Sequence, residues 1–200
     1  MTPKILAFAG STREGSYNKK LVKIAAAGAR AAGAEVTDLD LRDLPMPLYD
    51  ADLQEREGMP ENAKRFKALL KEHAGFLISA PEYNSGITGV LKNAIDWASR
   101  SEPGEPSLVC FTGKTAAIMA ASPGALGGLR GLVHVRAILS NINVLVIPDQ
   151  IAVSKANEAF GPDGKLLDAK RHAQIENLGG IVARLLAKLG PEGYGGVLKP

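Results

Sequence analysis

Cysteine is almost absent from this sequence of 200 residues, in which Cys110 stands alone. A single cysteine cannot form an intramolecular disulfide, and it leaves a cysteine-based metal site without ligands. This usage suits a reducing compartment, so we expect a cytoplasmic protein. No motif places a histidine beside Cys110, which we interpret as a small buried hydrophobe and not a nucleophile.

Long hydrophobic runs are missing as well. No run approaches the roughly 18 apolar residues that a membrane-spanning helix needs. The start of the chain, Met1 to Lys4, leads into too short an apolar stretch for a signal peptide. We therefore expect a soluble protein without a membrane partner.

No charge of one sign dominates, since the formal net charge is only +3 and the charged residues are scattered without interleaved aromatics. This distribution predicts no nucleic-acid partner. No Pro/Gly/Ser-rich linker divides the chain, so residues 1–200 are predicted to form one domain. His73, His134 and His172 fall on three different predicted helices without a second ligand at metal spacing, so no metal site is predicted.

What the sequence does contain is a set of short apolar runs of strand length. They lie at Lys4 to Ala9, Glu35 to Asp40, Gly75 to Ala80, Thr115 to Ala121 and Asn143 to Pro148. Segments with a 3.6-residue apolar period separate them and predict helices. The alternation predicts right-handed βαβ crossovers and a doubly wound α/β domain with helices on both faces of a parallel sheet.

Such sheets bind ligands beyond the carboxyl ends of their strands, which directs attention to the loops that follow strands one, three and four. The first loop, Gly10 to Asn18, combines small hydroxyl residues and two glycines with Arg13 and opens a helix. Ser11 and Ser16 can donate hydroxyl protons, and a helix N-terminus presents free N–H groups. This chemistry suits a phosphate dianion.

The sequence of this loop leaves one other interpretation open and excludes two. An ordinary strand-to-helix turn, with Ser16 as N-cap and Arg13 as a solvated charge, is about equally consistent with the loop alone. A nucleotide-triphosphate loop fails because Ser16 stands where its lysine is required, and a dinucleotide fingerprint fails because Thr12 stands where a glycine is required.

The loop after strand three runs from Pro81 to Gly89 and continues into a helix. A redox heterocycle needs a flat wall and polar groups at its edge, which Tyr83, Asn84 and backbone N–H groups near Gly86 can supply. Without further information, Tyr83 could equally be an aromatic at the edge of the core and Asn84 a turn residue.

Taken together, three stretches resemble the NADPH-dependent FMN reductase family: G-S-T-R-E-G-S-Y-N at Gly10 to Asn18, P-E-Y-N at Pro81 to Asn84, and G-V-L-K-N-A-I-D-W at Gly89 to Trp97. The resemblance covers nearly the whole chain. It implies a flavodoxin-like five-stranded sheet of order 2-1-3-4-5, FMN as cofactor and NAD(P)H as electron donor. Thr88 departs from the proline that many relatives carry at this position.

The resemblance also implies a set of FMN-binding residues. It assigns the phosphate and ribityl chain of FMN to the first loop and the isoalloxazine to the loop after strand three. The small residues after strand four are assigned to a second edge of the ring. The predicted cofactor-binding residues are Ser11, Arg13, Ser16, Tyr17, Asn18, Pro81, Glu82, Tyr83, Asn84, Ser122, Gly124 and Gly127. Glu82 is the weakest of these assignments, and no catalytic residue is predicted because the flavin carries the chemistry.

The function implied is an NAD(P)H-dependent oxidoreductase that passes hydride through bound FMN to a flavin, a quinone or a similar small acceptor such as an azo dye or chromate. The alternatives are a flavodoxin-type electron carrier and a non-redox nucleotide-binding module. The resemblance further implies a homodimer or homotetramer. The segment from Arg42 to Pro60 is too long for a minimal βα connection and either covers a functional surface or is a solvated loop.

Overall fold

A five-stranded parallel sheet forms the centre of the molecule in the computed structural model, which describes residues 2–190 and 193–198. Its strands are β1 (Lys4–Ala9), β2 (Glu35–Asp40), β3 (Gly75–Ser79), β4 (Thr115–Ala121) and β5 (Leu145–Val153). Numbered along the chain, these strands lie in the order 2-1-3-4-5. The predicted flavodoxin-like topology is confirmed.

Helices cover both faces of this sheet. They are α1 (Tyr17–Ala31), α2 (Ala51–Glu57), α3 (Glu61–Glu72), α4 (Gly89–Ala98), α5 (Leu129–Asn141), α6 (Ala156–Ala159) and α7 (Ala169–Leu189), with short 3₁₀ turns at Leu41–Asp43 and Gly193–Leu198. One apolar core lies between the sheet and α1 with α7, and the other between the sheet and α3, α4 and α5. Strands β3 and β4 are buried along their whole length, as their continuous apolar sequences predict.

The last strand differs from its prediction. The sequence indicated Asn143 to Pro148, but β5 begins at Leu145 and runs to Val153. Asn143 is in the left-handed region (φ 65°) and belongs to the preceding turn. Pro148 does not end the strand because β5 lies at the edge of the sheet, where a missing N–H is tolerated, and the pairing with β4 is irregular nearby.

The segment from Arg42 to Pro60 is partly ordered into secondary structure. Asp50 caps α2 by accepting hydrogen bonds from the N–H groups of Asp52 and Leu53. Before it, the carbonyl of Pro47 accepts one hydrogen bond from Asn93 Nδ2 and another from the Trp97 indole, at 2.9 and 2.8 Å. This segment is therefore fastened to α4 and leaves Leu48 79% exposed.

Helices α1 and α7 approach each other closely enough to exclude side chains at two positions. A Cβ atom on Gly28 would lie 1.9 Å from the carbonyl oxygen of Glu176, and one on Gly179 would lie 1.8 Å from that of Ala25. Both glycines are therefore required by backbone contact, and they fix α1 against the last long helix of the chain. Within the described part of the chain, no helix is both long enough and apolar enough to cross a bilayer.

Candidate functional site

Three loops meet in one cleft at the carboxyl edge of the sheet. The cleft is lined by Ser11, Arg13, Ser16, Tyr17, Asn18, Pro81, Glu82, Tyr83, Ala121, Ser122 and Pro123. Most of the predicted cofactor-binding residues are thus brought together. Asn84, Gly124 and Gly127 are not among the lining residues, and the reasons differ for each.

The side chain of Asn18 joins the start of α1 to the ends of β3 and β4 beneath this cleft. Its Oδ1 accepts hydrogen bonds from the Ser79 hydroxyl (2.8 Å) and from the Ala121 N–H (3.0 Å). Its Nδ2 donates to the Ala121 carbonyl at 2.8 Å. Asn18 is 3% exposed, so these bonds are shielded from water. The geometry makes Asn18 an internal crosslink of the predicted phosphate loop.

The start of α1 leaves donors available to a ligand. Ser16 occupies the N-cap position in extended conformation, but its side chain makes no capping hydrogen bond and no acidic residue lies in the first turn. The first N–H groups of the helix therefore keep their capacity to bind an anion. Among the residues that the structure describes, Arg13 forms no ion pair, whereas the nearby Lys19 is committed to Asp40 at 2.6 Å.

The loop after β3 forms a small antiparallel hairpin of Glu82–Tyr83 and Gly86–Ile87. Asn84 and Ser85 connect its strands with φ values of 51° and 66°, the combination of a two-residue type I′ turn. Asn84 therefore lies at the exposed tip and not on the cleft wall. Tyr83, in the same hairpin, is 62% exposed.

Thr88 explains how α4 begins without the expected proline. Its hydroxyl accepts a hydrogen bond from the Leu91 N–H at 3.3 Å, which caps α4, and donates one to the Gly10 carbonyl at 2.7 Å. A Cβ on Gly10 would lie 2.8 Å from that of Leu91, so the glycine admits α4 to this position. The hydroxyl thus ties the helix after the hairpin to the first loop.

Glu82 has its carboxylate occupied by protein groups. Oε1 accepts hydrogen bonds from Arg130 Nε and Nη2 at 3.0 and 2.7 Å, and Oε2 accepts one from the Gly131 N–H at 2.9 Å. Burial works to raise the pKa of Glu82, but the Gly131 N–H and the Arg130 guanidinium outweigh it and hold the pKa below its ordinary value. The side chain of Glu82 is therefore an ionised link to α5.

The loop after β4 lines the cleft with different residues from those predicted, since Ala121 and Pro123 accompany Ser122 there. The Ser122 hydroxyl accepts a hydrogen bond from the Gly124 N–H at 3.3 Å, which turns the chain away so that Gly124 is exposed to solvent. Gly127 has a φ of 63°, and a Cβ there would lie 2.6 Å from the backbone of Val153. Gly127 thus packs against β5, and only the first residues of this loop reach the cleft.

Cys110 and His73 lie away from the cleft in buried, satisfied positions. Burial raises the pKa of the Cys110 thiol to about 11, so the thiolate is scarce at neutral pH. Both ring nitrogens of His73 are within hydrogen-bond distance of a partner, the Leu69 carbonyl at 2.7 Å and the Thr37 hydroxyl at 2.8 Å. Neither residue takes part in the candidate site.

Three residues of the site were missed in the sequence. Thr88 carried a usable signal, a hydroxyl residue just before an apolar helical pattern. Ser79 carried a weaker one, since it is a polar residue at the end of an apolar strand. Arg130 had none, because nothing local relates an arginine at the start of α5 to the hairpin.

Comparison with known proteins agrees with this geometry. Residues 3–158 match the family described as NADPH-dependent FMN reductase. The chain is 37% identical over 174 residues to an NAD(P)H-dependent FMN reductase of Pseudomonas aeruginosa, covering 86% of this chain and 89% of that protein. It is 35% identical over 172 residues to a quinone reductase of Escherichia coli, covering 82% and 85%.

A solved structure of similar form supports the same grouping. The NAD(P)H:(acceptor) oxidoreductase FerB, a flavoenzyme from Paracoccus denitrificans, superposes with a TM-score of 0.77 at 27% sequence identity. The match covers 95% of this chain and all of the other.

The Asn18 crosslink gives a direct test of how the cleft is held. Asn18→Ala leaves the Ser79 hydroxyl and both polar groups of Ala121 without their partner, and each unpaired buried group costs about 1–3 kcal/mol. We expect the free energy of unfolding, measured in urea, to fall by at least about 2 kcal/mol. Asn62→Ala, which removes one bond to the Pro45 carbonyl and one from Arg65 at the surface, is the matched control. Equal small losses in both variants would contradict a central role for Asn18.

Proposed function

Since this chain belongs to the NADPH-dependent FMN reductase family and is an NAD(P)H-dependent flavin oxidoreductase with FMN as its cofactor, we propose that it reduces small quinones. We further propose that residues 1–200 act as one cytoplasmic FMN domain. One observation supports the proposal most directly. The start of α1, which has no side-chain cap, and the hairpin that carries the exposed Tyr83 line the same cleft.

The residues of the cleft fit FMN in two parts. Ser11, Ser16 and the first N–H groups of α1 are proposed to hold the phosphate, with Arg13 supplying the positive charge. Pro81 and Tyr83 are proposed to face the isoalloxazine, with the backbone near Ser122 at another edge. FMN held by these residues would supply the redox chemistry between NAD(P)H and the acceptor.

A quinone is the acceptor that this surface suits best. The hairpin leaves Tyr83 largely exposed, so the proposed flavin wall opens to solvent and gives planar molecules access. The relative from Escherichia coli is named a quinone reductase. With the Cys110 thiol buried and protonated, the proposal involves no thiolate step.

The proposal is tested by reducing the protein-bound flavin and then offering acceptors. We expect anaerobic NADPH or NADH to bleach the flavin absorbance, and a benzoquinone to give the highest kcat/KM in a panel with free FMN, an azo dye, chromate and oxygen. Bound flavin that neither nucleotide reduces would favour the electron-carrier alternative. A panel led by another acceptor would overturn the quinone assignment alone.

The phosphate assignment is tested at Arg13. Removing a charged hydrogen-bond partner in Arg13→Ala costs roughly 1.5–3 kcal/mol, so FMN should bind about tenfold to 150-fold more weakly. Riboflavin lacks the phosphate and its affinity should barely change. Titrations of both flavins into the apoproteins give these affinities, with Arg30→Ala, the same charge change near the far end of α1, as control. Equal weakening of both flavins by Arg13→Ala would refute the phosphate assignment.

We also propose a homo-oligomer, a dimer or a tetramer, that associates through the exposed side of α5. Leu129 and Val133 lie one turn apart on this helix and are 44% and 59% exposed, and Leu126 just before it is 49% exposed. Helix α5 contacts the hairpin through Arg130 and Gly131, so a second copy bound to this helix would lie near the cleft. An apolar stripe of this kind is typical of a protein interface.

Val133→Asp places a charge in the middle of that stripe. We expect sizing chromatography with light scattering to show a shift from the oligomer toward the monomer. Leu167→Asp makes the same change at a leucine that is 70% exposed before α7, and it should leave the oligomer intact. An unchanged mass for Val133→Asp would rule out this face.

A further inference from the structure

The hairpin that forms the proposed flavin wall is fastened to the protein at one charged contact. Glu82 begins the hairpin, and its carboxylate is held by Arg130 and by the Gly131 N–H at the start of α5. The Glu82 side chain is 8% exposed and that of Arg130 is 58% exposed. The acceptor side of this contact is thus shielded from water, which strengthens it relative to a surface ion pair.

The surrounding backbone is shaped to receive this side chain. A Cβ on Gly131 would lie 3.2 Å from the Glu82 Cβ and 3.3 Å from the Gly86 carbonyl oxygen. Gly128 has a φ of 96°, which lets the chain turn into α5 beside the same carboxylate. Because the carboxylate lies at a helix N-terminus, the helix dipole favours its negative charge. The hairpin and the loop after β4 therefore share one anchor.

We propose that Glu82 is a positioning residue that sets the affinity for the flavin ring by clamping the hairpin to α5. The proposal rests on the proposed function, in which the hairpin faces the isoalloxazine. Glu82 acts through the hairpin and not by contact with the phosphate. Loss of the clamp thus weakens the binding of any flavin by the same factor, whether or not it carries a phosphate.

The test compares FMN and riboflavin affinities in apo Glu82→Gln and apo Arg130→Gln. Glu82→Gln removes the carboxylate charge, and Arg130→Gln removes the guanidinium from an exposed position where folding is not at risk. We expect both variants to bind FMN and riboflavin more weakly, by the same factor of roughly ten, the order of effect that follows the loss of a charge-assisted contact. Hydrogen exchange of the amides of residues 82–87 should become faster in both.

Two controls separate clamping from loss of general stability. Leu139→Ala creates a cavity at the buried far end of the same helix and should lower the melting temperature while leaving both flavin affinities unchanged. Glu72→Gln makes the same chemical change in the exposed pair with Lys4. It should leave both the melting temperature and the flavin affinities unchanged.

Unchanged flavin affinities in the two clamp variants, or a loss confined to FMN, would overturn the proposal. If the wild-type protein bound neither flavin, the proposed function would be refuted, whatever the outcome for the clamp. Hydrogen exchange would then still test the clamp without a flavin. If the hairpin amides exchanged as slowly in the variants as in the wild type, the clamp would be refuted.

Discussion

The carboxamide of Asn18 is the interaction on which the ligand-binding edge depends. Ladder hydrogen bonds hold β1, β3 and β4 side by side, but they end where the strands end, and the loops beyond have no such ladder. Asn18 continues the connection past that point by joining α1 to Ser79 and Ala121. The start of α1 and the ends of β3 and β4, from which the hairpin and the following loop leave, therefore keep fixed positions relative to one another.

The start of α1 and the hairpin, which lie at this edge, offer a cofactor different kinds of contact. At the start of α1, donors are left without internal partners, and the neighbouring Lys19 is already paired with Asp40. At the hairpin the reverse holds, since the Glu82 carboxylate is fully paired and backbone and ring surface face outward. Under the proposed function, charge recognition and shape recognition thus reside on different loops, which Asn18 and Thr88 connect.

Much of the fold could be predicted from the sequence because buried parallel strands have nearly continuous apolar runs, and four of the five were located to within a residue. The fifth was misplaced because an edge strand tolerates Pro148, so the usual end signal did not apply. Helix α2 was missed because it is short and buries no residue, which leaves no apolar period to detect.

The candidate site, too, could be predicted from the sequence only in part. The loops and most cleft residues were found because glycine, hydroxyl and amide residues cluster after apolar runs, and the family resemblance assigned them to FMN. The roles of Asn18 and Glu82 could not be anticipated, since each depends on partners far along the chain. Gly127 was assigned from the resemblance and the small residues of its loop, whereas its left-handed φ and its contact with β5 explain why it is a glycine.

The contact of Gly28 with α7 also bears on the order in which the molecule is made. Helix α1 precedes α7 by more than a hundred residues, yet α7 covers one of its sides. A nascent chain therefore carries α1 with one apolar side bare, and native contacts this distant in sequence form only once the intervening strands are in place. Helix α1 packs against the sheet as well as against α7, so its second side is covered only by a late, long-range step of folding.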